Sequence, residues 1–198
     1  MAAMPDSLDA VWNHAWARLL AGARGRGDPF HQGVLANASE DGPQARYAVL
    51  RAVDPDGGRV AFHTDRRSPK LAQLQADPRV AWVFFGHGEQ LRLSGTVQLH
   101  LDDAEADAAW AATRLLSRRT YAVPLAPGTP VDFPADAGLT GLGAAPPGAD
   151  AQARARGHFA LARLTLDSLD WLSLASEGHR RARFRREGGR WQGTWLSP

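Results

Sequence analysis

The chain has 198 residues, 44% of them hydrophobic and 22% charged, a composition that suits one folded domain with a substantial core. Its 23 basic residues nearly balance 21 acidic ones, so the net charge of +2 argues against nucleic acid as a partner although the pI is about 9.6. With no cysteine there is no disulfide, thiolate metal site or cysteine nucleophile, and with neither a leader pattern nor 18 consecutive apolar residues the sequence reads as cytoplasmic, with no membrane partner.

Leu8, Trp12, Ala15, Trp16, Leu19 and Leu20 fall at helical spacing and predict a helix over 7–23 that ends before Gly25-Arg26-Gly27-Asp28-Pro29. Residues 1–29 therefore read as a helix and linker, and 30–198 as the main domain. Short β-runs follow at 33–39, 44–53 and 59–64, separated by Glu40-Asp41-Gly42-Pro43 and Asp54-Pro55-Asp56-Gly57-Gly58. A helix from Pro69 to about Ala76 stops at Asp77-Pro78, and 79–85 and 90–101 read as two longer strands, the fourth and fifth. Asp102 is placed to cap a helix through Leu116, with Glu105 three residues on completing a capping box.

From 117 to 157 the composition changes, and Pro124, Pro127, Pro130, Pro134, Pro146 and Pro147 predict a long irregular connection. Strands resume at 158–166 and 171–174, and 180–186 with 190–196 around Gly188-Gly189 read as a hairpin. Many short antiparallel strands with helices between them predict a mainly β, α+β architecture: a small barrel with flanking helices.

Lys70 is the one lysine beside 22 arginines, and it stands where a strand gives way to a helix. Ser68 suits the N-cap and Pro69 the first helical position, so Lys70 falls in the first turn, beside backbone N–H groups that favour an anion. A compact ammonium there suits a phosphate. Glycine-rich nucleotide loops and the nucleophile-elbow serine are absent, and the seven histidines are scattered without metal-ligand spacing, so no metal site is expected.

The remaining basic and ring-binding residues lie along consecutive strands: Arg46-Tyr47-Ala48-Val49-Leu50-Arg51, then Phe62-His63-Thr64 with Ser68 and Lys70, then Gln90-Leu91-Arg92-Leu93-Ser94-Gly95, and finally Trp171 with Arg181-Ala182-Arg183-Phe184. In this order and spacing, over about residues 30 to 198, they resemble the pyridoxamine 5'-phosphate oxidase-like FMN-binding split-barrel family. The resemblance implies that Arg46 and Lys70 bind the FMN phosphate, with Ser68 beside them. It further implies that Tyr47, Val49 and Leu50 lie against the flavin, that His63 and Thr64 touch it, and that Gln90 hydrogen-bonds its ring. It also implies a homodimer in which Trp171 and Arg183 complete the site from the second subunit, and a place for Arg51 near the substrate.

The match departs from the family where the substrate binds. An arginine-x-histidine pair is inverted here, leaving His179 and Arg181 in its place, and the residues that hold the substrate phosphate have only approximate counterparts in Trp110, Arg114 and Ser117 or Arg118. The implied function is an FMN-dependent oxidoreductase of a divergent kind, acting on a small molecule such as a phosphorylated form of vitamin B6. A flavin-reductase-type or non-catalytic FMN protein, or a split barrel using haem or a deazaflavin, is the alternative. No catalytic residue is singled out. Read without the resemblance, Arg46 and Arg51 point to opposite faces of one strand unless a bulge intervenes, Trp171 suits a core, and Arg181, Arg183 and Arg185 suit a solvated strand face.

Overall fold

Ser7 accepts a hydrogen bond from the Ala10 N–H at 3.2 Å and so opens helix α1, Leu8–Arg24, which buries Val11, Ala15, Trp16 and Leu19 along one stripe. A single turn at Pro29–His31 leads into strands β1, Gln32–Asn37, and β2, Gln44–Val49, then β3, Ala52–Asp54, and β4, Arg59–Asp65. Helix α2 spans Pro69–Ala76, followed by the long hairpin of β5, Arg79–Gly86, and β6, Glu89–His100. Helices α3, Ala104–Ala112, α4, Leu115–Arg118, and α5, Ala149–His158, precede β7, Phe159–Ser173, and the closing hairpin of β8, Arg180–Glu187, and β9, Arg190–Leu196. This computed structural model describes residues 5–137 and 148–198.

Hydrogen bonding orders the strands β2-β1-β5-β6-β7-β4-β3, with β8 added to β7 and β9 to β8. The two ends of that path, β2 and β3, are separated in the chain by only Leu50 and Arg51, so the path returns on itself as in a split barrel. The described residues fall into two compact units. The first holds the chain up to Phe62, Asp77–Gln98 and Arg163–Pro198, and the second holds His63–Ala76 with the described part of 99–162.

In the first unit the inward residues of the strands form the core. Leu35, Trp82 and Leu93 stand in register across β1, β5 and β6 with none of their surface exposed, and Phe62 meets the Trp82 ring edge-on at 5.5 Å. Trp12 of α1 rests against Phe184 and Trp191 at 5.0 and 4.9 Å between centroids, which seats the helix on the last hairpin. In the second unit the fully buried Phe159 gathers His63, Trp110 and Tyr121 at 4.8 to 5.3 Å.

Five expectations change. The run 44–53 is two strands: the Leu50 N–H still bonds the His31 carbonyl beside β1, whereas the Arg51 N–H bonds Ala61 of β4, so the chain changes partner between them. The strands through His100 therefore number six. Asp103, rather than Asp102, caps α3 by accepting from the Ala106 N–H at 2.9 Å, because Asp102 is taken by Arg66. That helix stops at Ala112, where the Thr113 hydroxyl donates to the Ala109 carbonyl and Arg118 donates to the carbonyls of Trp110, Ala111 and Thr113. The connection 117–157 carries α5, while residues 138–147, with Pro146 and Pro147, lie outside the described residues. The runs 158–166 and 171–174 are one strand, since Ser168–Ser173 pairs with Arg185–Arg180 and pairing overrides the polar interruption at Asp167-Ser168.

Close packing between β6 and β7 needs a glycine. A Cβ on Gly95 would overlap the Thr165 carbonyl oxygen and press on the Leu166 Cα at 3.0 Å. Gly95→Ala should cost on the order of 2 kcal/mol and lower the melting temperature by about 4–8 °C, as read by circular dichroism. An unchanged melting temperature would show that the strands part without strain.

Candidate functional site

The turn from β4 into α2 is braced by a carboxylate. Asp65, almost fully buried, accepts from the backbone N–H of Arg67 at 2.8 Å and from its guanidinium at 3.0 and 2.7 Å. The same guanidinium reaches the carbonyls of Val123 and Pro124, and its hydrogen bond to Asp65 raises its pKa above the ordinary value. Held in this way, the turn places three candidate residues together: Lys70 Nζ donates to Thr64 Oγ1 at 2.5 Å and to Ser68 Oγ at 3.5 Å. His63, one residue before Thr64, packs its ring edge-on against Phe159. Sequence reading missed the Asp65–Arg67 brace, although an aspartate two residues ahead of a free N–H is the signature of an Asx turn.

The other candidates lie in the first unit. On β2, Arg46 and Tyr47 point to opposite faces, Arg46 half-buried beside Leu35 and Tyr47 74% exposed beside Val34. Arg46 Nη1 donates to Asn37 Oδ1, and among the described residues no carboxylate pairs with it. Burial alone therefore lowers its pKa, and no carboxylate among the described residues compensates this cation. Val49 shares the Tyr47 face; Leu50 is fully buried. Gln90, the second residue of β6, stands opposite Phe85 on the same outward face as Tyr47, with two strands between them.

Trp171 is fully enclosed, and its indole N–H donates to Glu89 Oε2 at 3.2 Å. Glu89 is itself buried; His14 Nε2 lies 2.7 Å from Oε2 and Arg18 Nη2 lies 3.6 Å from Oε1. Burial pushes its carboxyl up, yet the hydrogen bonds from His14 and Trp171 and the charges of His14 and Arg18 prevail and hold it below its ordinary value. This cluster joins α1, β6 and β7 immediately beside Gln90, and sequence reading gave no sign of it.

On β8, Arg183 faces Asp170 in register and is half-buried. Arg181 makes a two-pronged pair with Asp170, at 3.1 Å through Nε and 3.0 Å through Nη2, and this raises its pKa. His179 is exposed and shares a cleft of about 380 Å3 with Asp6, Arg180, Arg181, Trp195 and Leu196. Arg118, one approximate counterpart of the family's substrate-phosphate residues, instead caps α3 and stacks on the Trp110 ring at 4.6 Å.

A family model described as pyridoxamine 5'-phosphate oxidase matches residues 28–137. The chain belongs to this family. It is 30% identical over 190 residues to the pyridoxine/pyridoxamine 5'-phosphate oxidase of Pseudomonas putida, which covers 86% of this chain and 80% of that one. With the enzyme of the same name from Kineococcus radiotolerans it shares 38% identity over 87 residues, so that match spans only 43% of this chain and 38% of the relative. Among solved structures, a pyridoxamine 5'-phosphate oxidase-related, FMN-binding protein from Nostoc punctiforme matches over 100% of both chains with a TM-score of 0.75 and 25% identity. The fold is the FMN-binding split barrel that the strand motifs imply.

The sign of one pH dependence follows from Glu89. A carboxyl whose pKa falls on folding stabilises the protein above its unfolded pKa, and that contribution is lost as pH drops below about 4.5 through the lowered folded value. Glu89→Gln should therefore lower the urea midpoint at pH 7, with a gap to the parent that narrows from pH 4.5 downward. A gap of constant size would mean that folding does not lower the Glu89 pKa.

Proposed function

We propose that this chain is an FMN-dependent oxidoreductase and that Lys70, Ser68 and Arg46 hold the FMN phosphate. The observation that carries this reading is the cluster of Lys70, Thr64 and Ser68 at the first turn of α2, where ammonium, hydroxyls and backbone N–H groups offer one anion site. Arg46 supports it independently, as a partly buried guanidinium with no carboxylate partner among the described residues. The donor set fits FMN: a dianionic phosphate would supply the missing charge, and the amide of Gln90 has both the donor and the acceptor that a flavin pyrimidine edge requires.

Bound FMN would supply hydride transfer at its ring system, which no side chain here can perform. The chain's own residues would position and orient. Tyr47, Val49 and Leu50 would line the ring, His63 and Thr64 would flank it, and Arg183 and Trp171 would contribute from a second copy, Trp171 by fixing the strand around it. Arg51, His179 and Arg181 would orient an anionic substrate, Arg181 through Nη1, the nitrogen that Asp170 does not use. Pyridoxamine or pyridoxine 5'-phosphate is the named candidate.

The outward sheet face supports a homodimer. Tyr47 and Val49 of β2, Val34 of β1 and Val83 and Phe85 of β5 share it with Gln90, and Tyr47 and Phe85 are 74% and 60% exposed. A second copy of the chain, seated there, would cover these side chains and close the flavin site.

FMN should bind far more tightly than riboflavin, and Lys70→Ala should weaken FMN about tenfold or more, because a charge-assisted bond to an anion contributes on the order of 1.5–3 kcal/mol. Equal affinities in a fluorescence titration would reject the phosphate site, and the absorption spectrum of the purified protein separates flavin from haem or deazaflavin. For substrate, anaerobic pyridoxamine 5'-phosphate should bleach the flavin band of loaded protein, and His179→Ala should slow bleaching without releasing FMN. Bleaching by dithionite but by neither vitamin phosphate would reject the substrate and keep the cofactor.

A further inference from the structure

Glu89 is the first residue of β6, and Gln90, the proposed partner of the flavin ring, is the second. They stand at the end of a hairpin. His87 and Gly88 make its two-residue turn with φ of 55° and 73°, Gly86 and Glu89 close the ladder, and the Leu174 N–H donates to the Gly88 carbonyl at 2.9 Å.

The Gln90 amide makes no hydrogen bond to another described residue, so within the protomer its place is set through the backbone. The side chain of Glu89 holds that backbone. Its Oε2 accepts from Trp171 Nε1 of β7 at 3.2 Å and meets His14 Nε2 of α1 at 2.7 Å, while Arg18, one helical turn on from His14, stands 3.6 Å from Oε1. An ionised carboxylate can only accept, so His14 Nε2 carries a proton and all three partners present donors. An amide at this position would have one oxygen and would turn an N–H group toward one of those donors.

We propose that Glu89 is a positioning residue for the cofactor: through the backbone it holds Gln90 against the flavin ring, and its ties to His14 and Arg18 make helix α1 part of the cofactor site. This rests on the FMN reading given above and extends the site to an element that lies outside the strand motifs.

The test is a double-mutant cycle in FMN affinity, read by fluorescence titration of the parent, Glu89→Gln, Gln90→Ala and the double variant. Gln90→Ala should weaken FMN roughly fivefold, as the loss of one hydrogen bond allows, and Glu89→Gln roughly threefold. In the Gln90→Ala background Glu89→Gln should cost nothing further, because its effect passes through the missing amide. A loss of fold stability alone would instead weaken FMN by the same factor in both backgrounds. At saturating FMN the visible flavin band of Glu89→Gln should move in the same direction as that of Gln90→Ala. Should Glu89→Gln fail to fold, His14→Gln repeats the cycle from the helix side with the carboxylate kept. An additive cycle, or parent affinity and spectrum in both Glu89→Gln and His14→Gln, would overturn the proposal and leave the cofactor reading in place; a parent chain that takes up no FMN would reject both.

Discussion

The buried carboxylate of Glu89 ties three elements of the first unit together. An ion so enclosed is stable only when its oxygens are matched, and here the partners come from three elements: His14 and Arg18 on α1, and Trp171 on β7. Each partner fixes its own element. The helix is thereby held in rotation and height, the long strand β7 is held in register, and Gln90, the next residue after Glu89, is aimed outward by the alternation of the strand. Trp171 thus contributes as a keystone of the protomer, fully buried, with its polar nitrogen satisfied internally.

Charge in the rest of the molecule is divided between structure and chemistry. Many arginines are committed: Arg67 to Asp65, Arg66 to Asp102, Arg156 to Asp107, Arg181 to Asp170 and Arg118 to the end of α3. Arg46 belongs to the other class, half-buried and matched among the described residues by the neutral amide of Asn37. Uncompensated positive charge in a partly desolvated place is the physical meaning of an anion site, and it distinguishes Arg46 from its neighbours more sharply than residue type does.

The departures from the family's substrate residues also take a physical form. Trp110 has no hydroxyl, and Arg118 uses its guanidinium on helix carbonyls while stacking on the Trp110 ring, so these two side chains hold that corner of the second unit together.

The elements that depend on local rules were legible in the sequence. The apolar stripe of α1, the Ser-Pro start of α2, the glycine turn of the last hairpin and the strand runs of β5 and β6 all act within a few residues of themselves. The strand motifs also carried the family and the fold. What only the tertiary structure decided depends on partners distant in the chain. Leu50 and Arg51 change strands because His31 and Ala61 stand on either side; β7 runs through Asp167-Ser168 because β8 pairs with it; Asp102 yields the cap to Asp103 because Arg66, 36 residues away, claims it. In the same way an arginine's type is visible in the sequence, whereas its availability is not. Whether it binds a ligand or a carboxylate of its own chain is set by what the fold brings within 3 Å of it.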